Sequence, residues 1–530
     1  MIFPSNLGFN DKRFPEWRPQ QWDIIAQIMN WYQTPEAEDF LILEAPAGWG
    51  KSLIAGAVHM LAIEDNAKHL GVITTTTLNL QKQYVEETMQ PQTVDPYNAV
   101  ASAWGRGNYQ CLISPAKVDE APCVHGYKCP SRPICPYYVQ RDLANKVPVA
   151  VLNTAFYLAG VNYVRNEERG TLFSSADLAI HDEAHLLENS VRSFVEVSLS
   201  RSFFADLKRP LPESNEYGTW EDWIETNIEL VRVMADRYQR ISKELAPVIP
   251  DDPAGKKAVT QFRAMRDITL KMLPTRPLID RDHFGVKFRA VWGKYFAPDY
   301  LFDHARRHIL MSATILNPEY LASTLGILPH QFRYISLPSP FAAMRRRIIY
   351  DPVIKVNAKT SKEDFQKVVD RMDQHIDDHL EDKGIVHTVS YERARTVYAG
   401  SRHKSRMIVH ERGREQKEDA VRRFLEAPPG AILVSPAVGV GEDFGRDDNC
   451  RFQIFVKYPI PYLGDPVVRA RSEDDPDSLW VEADMAFVQA VGRGMRSETD
   501  YCVNYLLDAG AAWRFQFLPK SIQDSIVKSA

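Results

Sequence analysis

No apolar run in this chain approaches the ~20 residues that a helix needs to cross a bilayer. The N-terminal Met1-Ile2-Phe3-Pro4-Ser5-Asn6-Leu7 has neither the basic start nor the long apolar core of a secretory leader. The expectation is a soluble chain that is not secreted and does not enter a membrane. Charge of one sign is lacking too: 64 Lys and Arg against 69 Asp and Glu leave a net charge of −5. That excludes a globally basic polyanion binder, although an acidic total can hide a local basic groove. Cysteine is scarce, six in 530 residues, and the close C-x2–4-C pairs that mark most structural zinc sites are missing. A composition of 45% hydrophobic and 25% charged residues excludes the disordered and fibrous classes. Such a chain buries several cores, about three or four domains by length.

The richest signal is Glu44-Ala45-Pro46-Ala47-Gly48-Trp49-Gly50-Lys51-Ser52, placed between the apolar Phe40-Leu41-Ile42-Leu43 and a helix-compatible Leu53-Ile54-Ala55-Gly56-Ala57. Strand, glycine-bearing loop and helix in that order form a Walker A phosphate loop. Ala47, Gly48, Trp49 and Gly50 would turn backbone N–H groups toward phosphates, Lys51 would supply a point charge, and the Ser52 hydroxyl would reach Mg²⁺. Ala45 stands where the generic pattern has its first glycine. A second apolar run, Ala176–His181, delivers Asp182-Glu183-Ala184-His185 at the strand end, where open α/β sheets keep their chemistry. An Asp-Glu pair alone is most often a solvated strand end. After a Walker A loop it reads as Asp182 for Mg²⁺, Glu183 to orient and deprotonate water, and His185 to couple the site to other parts.

Four of the six cysteines, Cys111, Cys123, Cys129 and Cys135, fall within 25 residues with the spacing C-x11-C-x5-C-x5-C. Clustered thiols in a reducing compartment point to a metal centre. The spacing favours an iron–sulfur cluster and leaves zinc open. Cys450 and Cys502 stand apart and read as buried, inert thiols.

These segments together resemble the XPD/DinG branch of superfamily 2 helicases along nearly the whole chain. Gly105-Arg106-Gly107-Asn108-Tyr109-Gln110-Cys111 resembles that family's entry into its cluster domain, and Cys135-Pro136-Tyr137-Tyr138 with Arg141 and Ala144 its exit. The resemblance implies a four-thiolate 4Fe-4S cluster. Phe14, Trp17 and Arg18-Pro19-Gln20-Gln21 resemble the Q motif, so Arg18 and Gln21 are expected at the adenine of ATP. Val72–Gln83 resembles motif Ia, with hydroxyls and Lys82 for nucleic-acid phosphates. Ser312-Ala313-Thr314 resembles motif III, and Ser339-Pro340-Phe341 the crossing into the second motor lobe. Gly384–Tyr391 resembles motif IV. Ala431–Pro436 with Gly439, Gly441, Glu442, Asp443 and Gly445 resembles motif V. Gln489-Ala490-Val491-Gly492-Arg493-Gly494-Met495-Arg496 resembles motif VI. On one helix Gln489, Arg493 and Arg496 would share a face, with Arg496 the leading arginine finger and Arg493 its companion. Arg345-Arg346-Arg347 reads most simply as solvated surface, with contact to phosphate as the alternative.

The expected fold is α/β, two RecA-like P-loop NTPase lobes with an inserted iron–sulfur domain and a helical Arch in the first. The expected boundaries are lobe 1 at 1–100, 147–190 and 298–340, the cluster domain at 101–146, the Arch-like insertion at 191–297 and lobe 2 at 341–530. The apolar stripe Trp223, Ile224, Ile228, Leu230, Val231, Met234 and Tyr238 would be core of that insertion. The resemblance implies a monomeric ATP- and Mg²⁺-dependent helicase of the cytoplasm or nucleoid. It would move 5′ to 3′ on single-stranded DNA and open duplexes that carry single-stranded tails. The alternative is a nucleic-acid-stimulated ATPase that remodels complexes or RNA–DNA hybrids without processive unwinding.

Overall fold

Short runs such as Phe40-Leu41-Ile42-Leu43 and Ile432-Leu433-Val434 carry no polar alternation, the signature of strands covered on both faces. In the computed structural model they form the centres of two parallel sheets. The structure describes residues 2–88, 99–125, 128–166, 170–244, 253–411, 413–436, 449–495 and 500–528. Motif V from Gly439 to Gly445, and Arg496, lie outside the described residues.

In the first lobe the strands are β1 (Phe40–Glu44), β2 (Gly71–Thr75), β3 (Val100–Ala103), β4 (Val149–Asn153), β5 (Ala176–Asp182), β6 (Ala305–Ser312) and β7 (Phe332–Ser336). They pair in the order β7-β1-β6-β5-β2-β4-β3, every pair parallel. The cysteine segment lies between β3 and β4 in sequence, and the helical insertion between β5 and β6. Each of these strand pairs is adjacent in the sheet, so both excursions leave and re-enter at one place. Histidines do not belong in such a core unless their nitrogens are used. Here Thr74 Oγ1 and His181 Nδ1 are 2.8 Å apart, His181 Nε2 and His308 Nδ1 3.2 Å, and His308 Nε2 and the Phe302 carbonyl 3.0 Å. This buried chain links three neighbouring strands.

The second lobe holds β8 (Ile348–Ile354), β9 (Gly384–His387), β10 (Met407–Val409), β11 (Ile432–Ser435), β12 (Phe452–Phe455), β13 (Val503–Asp508) and β14 (Ile526–Lys528). Their order is β10-β11-β9-β12-β13-β8-β14, again parallel throughout.

The insertion contains the helices Tyr217–Glu244 and Pro253–Asp267, packed side by side. They stand on a three-stranded antiparallel sheet of Val197–Ser200, Gly285–Arg289 and Leu278–Arg281. That sheet is a departure from the all-helical expectation, because its strands are four or five residues long and two of them lie some eighty residues from the third. Of the apolar stripe, Ile224, Val231 and Tyr238 are buried, joined by Trp220, whereas Leu230 is 40% exposed. No described helix is long and apolar enough to cross a membrane.

Candidate functional site

The phosphate loop grows from the end of β1. Ala45 N–H continues the sheet by donating to the Ser312 carbonyl at 2.8 Å, and the chain then turns through Gly48 (φ +92°) and Gly50 (φ +71°) into the helix Lys51–Asp65. Both angles lie in the left-handed region that glycine enters without strain. A Cβ on Gly48 would stand 2.7 Å from the Phe341 ring, and one on Gly50 2.9 Å from Gln21 Nε2. Gln21 is buried beneath the loop. Its Nε2 donates to the Trp49 carbonyl at 2.8 Å and its Oε1 accepts the Arg18 N–H at 3.1 Å. Gln21 therefore braces the loop directly. Trp49 in turn donates from Nε1 to the Pro338 carbonyl at 2.7 Å, which fastens the loop to the strap between the lobes. Lys51 Nζ lies 3.3 Å from the Ala45 carbonyl.

Asp182 ends β5 and is buried. Its Oδ1 accepts the Glu183 N–H and its Oδ2 the Tyr84 hydroxyl, both at 2.9 Å. Burial, reinforced by the neighbouring Glu183 charge and opposed by Lys51, pushes Asp182 up to about 6. Glu183 holds φ +57° and ψ +47°, a left-handed conformation that costs a non-glycine residue of order 1 kcal/mol and clusters at functional sites. His185 Nδ1 lies 2.8 Å from Ser312 Oγ and 3.4 Å from Glu183 Oε2, so the Asp-Glu-Ala-His sequence touches motif III. Burial lowers the pKa of His185.

Lobe 2 supplies the facing wall. Gln489 lies on the helix Pro476–Gly492, and a cavity of ≈ 310 Å³ is lined by Ala47, Gly48, Lys51, Glu183 and His185 on one side and Gln489, Gly492 and Arg493 on the other. The helix ends at Gly492 and Arg493, its cap, keeps helical angles, so Gln489 and Arg493 reach the same cavity; Arg496 lies outside the described residues. Arg346, whose triplet reads first as solvated surface and otherwise as a phosphate contact, is 6% exposed and lines the cavity, and Phe341, not expected there, covers the phosphate loop. Among the described residues, His185 Nε2, Gln489 Nε2 and Arg346 Nε are buried with no hydrogen-bond partner. Arg18 and Gln21 line a neighbouring pocket with Phe14, Gly50 and Ser52.

Beside the cavity the lobes are fastened by Arg471. Its guanidinium is 3.0 Å from Glu188, 3.1 Å from Glu482 and 3.3 Å from the Tyr320 hydroxyl, and it lies 4.3 Å from the Trp292 ring centroid. Trp292 Nε1 also donates to Asp474 at 2.7 Å. Glu188 belongs to the helix that follows His185, so this network reaches from the Asp-Glu-Ala-His strand end into lobe 2. Nothing in the local sequence marks Arg471.

None of the cysteines forms a disulfide. Cys111, Cys123 and Cys135 converge on a small cluster with Tyr109, Tyr137 and Tyr138, while Cys129 is not part of it. Among the described residues no group of three or more His, Cys, Asp or Glu side chains is arranged as a metal site. The donor chemistry of four thiols fits a thiolate-bound cluster. Cys450 and Cys502 are buried in lobe 2.

Residues 375–525 match the helicase C-terminal domain family. Among solved structures, an XPD helicase superposes with a TM-score of 0.65 at 16% identity, over 97% of this chain and 99% of its own. Xpd4 of S. tokodaii gives 0.58 at 15% identity over 97% and 100%, and an apo XPD structure 0.58 at 14% over the same shares. No curated protein matches the chain in sequence. At these identities the structural likeness carries the fold alone: two parallel-sheet RecA-like lobes arranged as in the XPD helicase structures, with a helicase C-terminal domain matched over residues 375–525.

Proposed function

We propose that the chain hydrolyses ATP in the cleft between its lobes and uses the resulting opening and closing to move 5′ to 3′ along single-stranded DNA and separate duplexes. The observation that carries this reading is the cavity in which Lys51 and Glu183 of lobe 1 face Gln489 and Arg493 of lobe 2, with orphaned nitrogens of His185, Gln489 and Arg346 around it. A site with walls from two lobes is complete only when they close. Binding and hydrolysis therefore change their relative position. The loop N–H groups and Lys51 would hold the phosphates, and Phe14 and Arg18 would border the adenine. Ser52 and Asp182 would hold Mg²⁺, which supplies charge neutralisation when bound. Glu183 would orient the attacking water, and Arg493, with Arg496, would meet charge developing on the transferred phosphoryl group.

Cys111, Cys123, Cys129 and Cys135 would hold a 4Fe-4S cluster whose contribution is to brace their segment. The insertion 191–297 corresponds to an Arch, which with the cysteine segment would border the path of one strand. The test is ATP-dependent strand separation by the anaerobically purified protein on matched partial duplexes. One would carry a 5′ tail and one a 3′ tail, with an RNA–DNA version of each. Opening of the 5′-tailed DNA alone supports the reading. Opening of the hybrid alone, or DNA-stimulated hydrolysis without opening, replaces it with a hybrid remodeller or a translocase.

A further inference from the structure

The helix that follows β2 passes into a single π-helical turn at Gln83–Thr88, a form that recurs at functional positions because it re-aims side chains. Here it carries Tyr84 into the core below the phosphate loop, where the residue is 0% exposed. The ring packs in the apolar cluster that contains Trp49, Leu53, Ile73 and Ile180. For that packing a phenylalanine would serve as well. The hydroxyl has a different surrounding: it donates to Asp182 Oδ2 at 2.9 Å. A buried hydroxyl costs free energy unless partnered, and its partner belongs to the nucleotide site.

We propose that Tyr84 is a positioning residue for magnesium, its hydroxyl holding the Asp182 carboxylate in place before the nucleotide arrives. The inference rests on the assignment of Ser52 and Asp182 to Mg²⁺ under the proposed function. It extends that assignment to a residue outside both motifs. With Tyr84 on Oδ2 and the Glu183 N–H on Oδ1, each Asp182 oxygen has one protein bond, which fixes the carboxylate plane while leaving lone pairs open.

The test compares the full-length wild type with Tyr84→Phe. ADP affinity is measured in EDTA, and Mn²⁺ affinity of the ADP complex is measured by the loss of the free-Mn²⁺ electron paramagnetic resonance signal. Tyr84→Phe is expected to bind ADP in EDTA within about twofold of wild type and to bind Mn²⁺ roughly tenfold more weakly, the scale of one buried hydrogen-bonded link. Tyr84→Met, which also loses the ring, is expected to show the same Mn²⁺ shift together with a lower melting temperature, so that metal and fold defects are read apart. Unchanged Mn²⁺ affinity in Tyr84→Phe overturns the inference and leaves the nucleotide assignment standing. Equal loss of ADP binding with and without metal overturns it in favour of a packing role. Wild-type protein that binds neither ADP nor Mn²⁺–ADP overturns the proposed function itself.

Discussion

The residues of the nucleotide cleft sit at strand ends and helix termini: Lys51 and Ser52 at a helix start, Asp182 at the close of β5, Arg493 at a helix cap. The cysteine segment has a different support. Between Trp104 and Cys135 the described residues form three short 3-10 turns and one bridge between Gln110 and Lys117. What orders it is aromatic: Tyr109, Tyr137 and Tyr138 pack on one another. Arg106 lies 5.4 Å over Tyr137, and Arg132 and Arg141 lie 4.5 and 4.8 Å over Tyr138. The contrast separates two ways of making a site. A parallel sheet presets catalytic geometry through its backbone ladder, whereas a loop with few backbone bonds has its order set by side chains and by whatever those side chains bind.

The sharpest break in this contrast is chemical. Lys51→Ala and Glu183→Gln are each expected to lower phosphate release at least about a thousandfold with an unchanged circular dichroism spectrum, because the sheet and not these side chains carries the fold. Retained turnover in either would remove them from the site. Next in size is Arg471→Met. It leaves Glu188 and Glu482 without their shared cation, and breaking such a buried pair costs about 3 kcal/mol. Chemical denaturation reads the loss directly. The double variant with Glu188→Gln should recover part of it, since coupled partners are not additive; strict additivity would show that the lobes are not fastened there.

Cys123→Ser addresses the other region. It should speed proteolytic cleavage within residues 104–135 roughly tenfold, as expected when local order is lost, while ADP affinity stays within about twofold. Equal damage to both regions would erase the distinction between them. The smallest effect concerns pH. Asp182 is pushed up to about 6 from an ordinary value of 3.8, so the folded chain holds this proton more tightly than the unfolded one. Between pH 3.8 and about 6 the fold therefore loses stability as pH rises. Without nucleotide or metal, Asp182→Asn should raise the melting temperature by a few degrees at pH 7, and the gain should disappear near pH 4. A gain of equal size at both values would mean that Asp182 ionises without penalty.

The cleft was legible in the sequence where its requirements are local. Gly48 and Gly50 need left-handed angles, Lys51 and Ser52 open a helix, and Asp182 follows an apolar run that could only be a buried strand; all of these are fixed within a few residues. What escaped depends on distant chain. Arg346 lies in a triplet of arginines that reads first as surface until lobe 2 folds it toward the cavity, with one amino group on the Ser521 carbonyl. Tyr84 looks like one more apolar position of a helix. Its role exists only because β5 brings Asp182 to its hydroxyl. Arg471 is similarly silent, since its partners Glu188 and Tyr320 are 283 and 151 residues away. The small sheet under the helical insertion joins strands too short for a periodic pattern. The cysteine spacing points to a metal centre without choosing between an iron–sulfur cluster and zinc, and it says nothing of the loop path between the thiols.

The most direct measurement is the steady-state rate of phosphate release from ATP with and without single-stranded DNA, using the wild-type protein and Arg493→Ala. The account predicts slow release alone, stimulation of about tenfold or more by DNA as the lobes close on a strand, and loss of the stimulated rate in Arg493→Ala. Hydrolysis indifferent both to DNA and to Arg493 would contradict a catalytic site shared between the two lobes.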